Sequence, residues 1–247
     1  MILAAGLGTR LRPLTDDRPK ALVTVAGRTL LEIALLRLRA FGVRDVVVNV
    51  HHHAVMIVEY LKANSNFGMN IEISREEELL DTGGGLKNAA SFFLDSAASA
   101  QEPFLLHNVD VLSNLDLARL AAFHTEHAAL ATLAVQDRAT LRYLLFDESG
   151  RLCGRRAGLS GEPELVRPAR QAQALAFSGI HVLSPLIFEK MREQGAFSIV
   201  DAYLRLAAQG EKIVAFRADD CYWRDLGRPE SLVQAARDLA KGKLSMG

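Results

Sequence analysis

Short apolar runs alternate with helix-spaced apolar residues through the first half of the chain. The runs cover residues 1–5, 46–50, 70–74, 104–108 and 129–135, and each reads as a strand. Between them, residues 29–41, 54–63, 85–93 and 115–127 read as helices. In the first of these, Leu31, Leu35, Leu38 and Phe41 recur at helical spacing, with Arg37 and Arg39 on the other side. Strands that alternate with helices predict a mostly parallel sheet covered on both faces. Connections of this kind are right-handed, which favours a doubly wound α/β sheet. The first strand opens at residue 1, which leaves open whether Met1 is the native start.

The second half changes character. Residues 143–146, 151–155 and 175–183 read as strands with few helices between them, and Asp147-Glu-Ser-Gly150 as a hairpin turn. The stretch 157–171, rich in Gly, Pro and charge, reads as a mobile loop. Helices return at 185–194, 198–209 and 229–241. A single α/β domain over residues 1–247 with a small β-rich insertion accounts for the pattern.

Composition narrows the partners. At 247 residues and 49% hydrophobic content, the chain can bury one large core. Lys+Arg and Asp+Glu both total 29, so no net field holds the protein on nucleic acid or an anionic membrane. Any phosphate it binds must be met by local groups. Cys153 and Cys221 form neither a metal-type spacing nor a disulfide framework. With no signal peptide and no run long enough to span a bilayer, the expected compartment is the reducing cytoplasm.

The strongest chemical signal follows the first strand. Ala4-Ala-Gly-Leu-Gly-Thr-Arg-Leu-Arg-Pro-Leu-Thr15, then Pro19-Lys20, places two glycines where a buried strand ends. Gly6 and Gly8 let the backbone turn and present its N–H groups to a phosphate chain. Arg10 offers a planar fork of donors, and Lys20 a compact charge suited to an α-phosphate. Two better-known loops are excluded. The dinucleotide fingerprint needs a third glycine where Leu11 stands, and the Walker loop needs a Gly-Lys-Ser/Thr that is absent.

These residues, with Pro19-Lys20-Ala-Leu-Val-Thr-Val25, resemble the signature of the sugar-phosphate nucleotidyltransferases, and the resemblance runs over nearly the whole chain. It implies a Rossmann-like nucleotidyltransferase fold, with residues 1–135 mainly for the nucleotide and 136–247 mainly for the sugar phosphate. The implied substrates are a nucleoside triphosphate and a sugar 1-phosphate, with neither nucleic acid nor membrane as partner. Assembly into a homo-oligomer stays open. By the same resemblance the loop wraps the triphosphate, with Ala4, Ala5, Gly6, Gly8 and Thr9 near the nucleotide and Arg10 and Lys20 on phosphates.

Asp81-Thr-Gly-Gly-Gly85 reads as a second glycine loop before a helix, with Thr82 and Gly83 as further nucleotide contacts, or else as a flexible helix start. It is similar to the uridylyltransferases acting on N-acetylmuramate 1-phosphate, which tilts the donor towards UTP. A guanylyltransferase acting on mannose or heptose 1-phosphate is the alternative. Asp110 ends an apolar strand, where ligands of doubly wound sheets bind, and Asp225 precedes Gly227. The pair resembles the family's metal ligands and suits Mg2+, which takes one or two carboxylates. Asn108 is a candidate for the ribose or sugar, or a plain strand-end residue. Val109 departs from the glycine that many relatives carry there.

The family's sugar-phosphate lysine is missing, since no lysine lies between Lys87 and Lys190. Arg155, Arg156, Arg167 and Arg170 are its candidate replacements, or solvated loop arginines; Arg170 is our chosen site residue. Gly179, inside a strand, fits a close ligand contact or a bulge. Asp201 fits a sugar hydroxyl contact or a first-turn helix acid. His51-His-His53 follows a strand and opens a helix, so the three are read as structural. A non-catalytic nucleotide-sugar-sensing subunit is the rival class, although this chain keeps the carboxylates and lysine such a subunit is free to lose. A phosphocholine acceptor is disfavoured by an aromatic content of 6%.

Overall fold

The apolar runs become strands because β-branched and leucine-rich segments bury both faces between helices. The computed structural model describes residues 1–95 and 102–243. The chain opens with β1 (Ile2–Leu3), the ribbon β2 (Thr24–Val25) and β3 (Arg28–Thr29), and helix α1 (Leu30–Ala40). Then come β4 (Asp45–Val50), α2 (Ala54–Ala63), β5 (Asn70–Arg75), α3 (Asp81–Asn88) and α4 (Ser91–Leu94). The next elements are β6 (Phe104–Asn108), β7 (Val111–Ser113), α5 (Leu117–Glu126) and β8 (Ala131–Gln136). A β-rich stretch holds β9 (Arg142–Phe146), β10 (Leu152–Ala157), β11 (Glu164–Leu165) and β12 (Gln173–Leu183). The chain continues with α6 (Ile187–Lys190), α7 (Ile199–Ala208), β13 (Ile213–Arg217), β14 (Trp223–Asp225) and α8 (Pro229–Ala240).

These elements form two compact units. Among the described residues, the first contains 1–81, 107–115 and 221–243; the second contains 82–95, 102–106 and 116–220. In the first unit β1 pairs in parallel with β4 (Ile2 with Val48) and with the end of β6 (Leu3 with Asn108). Strand β5 extends this sheet, again parallel, from Asp45 with Asn70 to Val50 with Arg75. Helix α1 starts at Thr29, whose side chain accepts from the Glu32 N–H at 3.0 Å. Its Leu31, Leu35 and Leu38 are buried, each contributing roughly 1.5–3 kcal/mol relative to exposure. A separate antiparallel ribbon joins β7 to β14.

In the second unit the order is β13, β8, β12, β9, β10, β11, parallel between β13 and β8 and antiparallel elsewhere. Both units are α/β, with a parallel main sheet in the first, as the alternation predicts, and a mixed sheet in the second. Local departures have local causes. Residues 164–165, expected within a loop, form β11 because Glu164 and Leu165 pair with Arg155 and Gly154. The helix expected over 85–93 starts earlier, at Asp81, and breaks into α3 and α4. The helix expected over 185–194 shrinks to α6, because Met191 turns extended. Strand β13, which the reading missed, lies in the apolar run Ile213-Val-Ala-Phe216.

Two buried histidines tie stability to pH. His124 Nδ1 lies 2.9 Å from Thr132 Oγ1, and burial pushes its pKa down to about 4. Burial, then the charge of Arg37, lowers His107 to about 4 as well. A histidine held below its ordinary 6.5 contributes stability that is complete above that pH and lost as pH falls towards 4. Unfolding midpoints in urea should therefore fall between pH 6.5 and 4. In His124→Asn the fall should be shallower.

Candidate active site

The first unit brings the glycine loop, Asn108 and both aspartates into one region of chain. Gly8 adopts φ +66 before a tight turn at Thr9–Leu11, and the Leu11 N–H donates to its carbonyl at 2.8 Å. Thr15 Oγ1 donates to the same carbonyl at 2.9 Å. A Cβ on Gly8 would sit 3.0 Å from Lys20 Cβ and 3.0 Å from Thr15 Cγ2. Glycine here serves both a left-handed turn and the close approach of Lys20. Leu11, where the dinucleotide fingerprint would need glycine, is fully buried and anchors the turn. Gly6, Thr9 and Arg10 are exposed, while Ala4 and Ala5 are buried.

Lys20 opens a second tight turn, Lys20–Leu22, after Pro19. Its Nζ donates to Asp110 Oδ2, with 13% and 14% of the two side chains exposed. Asp110 sits just before β7, and across the ribbon the Leu226 N–H donates to the Asp110 carbonyl at 2.8 Å. Asp225 is paired with Val111, so strand pairing sets the two predicted metal aspartates on neighbouring backbones. Asp225 Oδ1 accepts from the Gly227 N–H at 2.6 Å. A Cβ on Gly227 would meet that oxygen at 2.6 Å and Arg10 Nη2 at 2.7 Å. The missing side chain thus lets the Arg10 guanidinium and the Asp225 carboxylate flank one glycine. Two hard oxygen donors beside two cationic side chains suit a divalent ion with a polyphosphate. Val109 is buried at 4% exposure, and its N–H donates to the Leu3 carbonyl at 3.1 Å. It therefore packs inward. Asn108 ends β6 half-buried.

Sequence reading missed the support beneath the loop. The Ala4 N–H donates to Asn49 Oδ1 at 2.7 Å, and Asn49 Nδ2 donates to Glu76 Oε1 at 2.6 Å. Glu76 Oε2 accepts from the Leu80 N–H at 3.0 Å. Both side chains are buried, Asn49 at 2% and Glu76 at 3% exposure. The available signal was a lone asparagine in Val46-Val-Val-Asn-Val50; Glu76 lies in an acidic run that gave none. Nearby, His51 Nδ1 lies 3.0 Å from the Glu76 carbonyl, and His53 starts α2 with φ +52.

The second unit holds the remaining predicted residues. The triple glycine is buried at the start of α3, so the helix-start alternative holds in place of a loop. Thr82 Oγ1 accepts from the Ile199 N–H at 3.0 Å, and the Gly83 N–H donates to the Phe197 carbonyl at 2.9 Å. A Cβ on Gly83 would lie 2.3 Å from the Phe197 ring, so close packing is what demands glycine there. Gly179 has φ +71 and falls where the β12–β8 register shifts, a bulge. Asp201 lies in the first turn of α7 and accepts from Arg155 Nη1 at 2.7 Å; Arg155 also pairs with Glu164. Arg167 donates to Asp147 at 2.6 Å, Arg156 lies 5.8 Å from the Tyr143 ring centroid, and Arg170 is exposed.

Comparison with known proteins gives one consistent result. The nucleotidyl transferase family matches residues 1–242. The chain is 35% identical to the N-acetylmuramate alpha-1-phosphate uridylyltransferase of Caulobacter vibrioides, over 98% of this chain and 96% of that one. It is 31% identical to the mannose-1-phosphate guanylyltransferase of Mycobacterium tuberculosis, over 98% of its own length but 64% of that longer protein. The crystal structure of a UDP-glucose pyrophosphorylase complexed with UDP-glucose shares the fold. It has a TM-score of 0.77 at 19% identity, covering 98% of this chain and 97% of that one.

The support beneath the loop has a measurable consequence. Asn49→Ala would leave the buried Ala4 N–H and Glu76 Oε1 without this partner, costing roughly 1–3 kcal/mol for each group. Chemical denaturation should show a loss of that size.

Proposed function

This chain belongs to the nucleotidyl transferase family, and we propose that it joins a nucleoside triphosphate to a sugar 1-phosphate with release of pyrophosphate. One arrangement carries this reading: Lys20, beside the glycine loop, is ion-paired to Asp110, and Asp225 lies on the strand paired across from it. The uridylyltransferase relative, matched over nearly its full length, supports UTP as donor and N-acetylmuramate 1-phosphate as acceptor. The guanylyltransferase relatives support GTP and mannose 1-phosphate as the second reading.

In the proposed reaction an oxygen of the sugar phosphate attacks the α-phosphorus in line, and pyrophosphate leaves from the opposite side. A phosphate monoester is already an anion near neutral pH, so no protein nucleophile is needed. Backbone N–H groups of the exposed residues Gly6 and Thr9 orient the triphosphate. Arg10 holds the outgoing phosphates with a fork of donors. Lys20 donates to the α-phosphate as it gains charge. It is already largely withdrawn from water, and exchanges its Asp110 partner for the phosphate oxygen. Asp110 and Asp225 would hold Mg2+, which supplies further neutralisation of phosphate charge when bound. On the acceptor side, Gly179, Asp201 and an arginine, Arg170 among them, are the proposed sugar-phosphate contacts.

Lys20→Ala and Asp110→Asn should each lower turnover by about a hundredfold or more, read in a coupled pyrophosphate-release assay. Rates near wild type would reject the assigned roles. Turnover of four triphosphates against a panel of sugar 1-phosphates should single out one pair. A folded protein that binds triphosphate yet releases no pyrophosphate with any acceptor would instead support a sensing subunit.

A further inference from the structure

A buried carboxylate on the last helix has no part in the reaction just described. Asp238 lies on the face of α8 that also buries Leu232 and Ala235, with 2% of its side chain exposed. Its Oδ2 accepts from Tyr222 Oη at 2.9 Å and from Arg224 Nη2 at 2.9 Å. Its Oδ1 accepts from Gln234 Nε2 at 3.0 Å and faces Lys243 Nζ at 3.3 Å. Arg224 Nε also donates to Tyr222 Oη at 3.0 Å, which closes the network. A leucine would fill such a position without desolvating a charge, and a buried ion pair is a weak way to gain stability. Its best-attested use is to fix register.

The register in question is that of β14. This strand is three residues long and its ladder partner is β7, also three residues long. Side chains alternate along a strand, so Tyr222 and Arg224 lie on one face while Trp223 and Asp225 lie on the other. A slip of one residue would exchange the faces. It would put the Arg224 guanidinium where the Asp225 carboxylate belongs. Short of a slip, a released Arg224 is the immediate chain neighbour of Asp225 and would compete with a divalent cation for it.

We infer that Asp238 is a positioning residue for the metal site, holding Arg224 and Tyr222 on the α8 side of β14 so that Asp225 faces the cation free of its neighbour. The inference rests on the reading of Asp225 as a metal ligand. It makes the C-terminal helix part of the machinery that sets cation affinity.

The experiment is Mn2+ titration of the whole protein followed by electron paramagnetic resonance of free Mn2+, with thermal midpoints taken in parallel. Asp238→Asn should weaken Mn2+ binding about tenfold or more, as loss of a supporting partner does at other metal sites. Arg224→Met alone should bind near wild type. The double variant Asp238→Asn/Arg224→Met should recover most of the lost affinity, even with a lower thermal midpoint. Unchanged Mn2+ binding in Asp238→Asn would overturn the inference. So would a double variant that binds no better than Asp238→Asn, since the role would then be structural only. If Asp238→Asn does not fold, Asp238→Glu displaces the carboxylate but keeps its charge, and the same two outcomes decide. Asp225→Asn is the separate control: undiminished Mn2+ binding there would remove the ligand reading itself, whatever Asp238 does.

Discussion

A lysine and an aspartate separated by 90 positions meet as a largely buried ion pair, and the candidate site is organised around them. In a setting where only about a seventh of each side chain is exposed, the attraction is offset by the cost of removing both charges from water. What the pair supplies is placement. Lys20 cannot leave the glycine loop, because Gly8 packs against its Cβ and Pro19 fixes its entry. Asp110 is held at the entry to β7, because its carbonyl accepts from the Leu226 N–H. The pair thus joins the N-terminal loop to a ribbon whose second strand comes from the far end of the chain.

Glycines act at this site chiefly by what they leave out. At Gly227 an added carbon would strike Asp225 and Arg10 together. At Gly8 the turn is left-handed and the neighbours close in. Gly83 is a different case, since its missing side chain is occupied by a phenylalanine ring of its own unit. The same residue type therefore marks a charged crossing in one unit and dense apolar packing in the other. The second motif is consequently less a free loop than a rigid joint between α3 and the start of α7.

Buried polar groups do the fine alignment. Asn49 and Glu76 fasten the end of β1 to the segment after β5, through two short buried hydrogen bonds and a third, part-buried one to Leu80. Asp238 does the equivalent for β14. Burial alone would raise its carboxyl, yet the donors Tyr222, Gln234, Arg224 and Lys243 outweigh that and bring it to about 2. A carboxyl held so low stays ionised through neutral pH, so the alignment persists wherever an enzyme of this kind would work.

Much of this was legible from residue order alone. The alternation of apolar runs with helical spacing gave the mixed α/β sheet, because burial of one face leaves a period in the sequence. The first glycine motif gave its loop, since the turn needs small residues at fixed positions. Strands as short as β7, β11 and β14 left no period to read, and β13 was overlooked in a plain apolar run. Partner choice was the deeper limit. That Lys20 pairs with Asp110, Asn49 with Ala4 and Glu76, Thr82 with Ile199, and Asp238 with Arg224 follows from which strands, helices and turns the fold brings together. Sequence fixes the chemistry each side chain can offer, because that is a property of one residue. Only the fold decides what it meets, because a hydrogen bond depends on distance in space and not on distance along the chain.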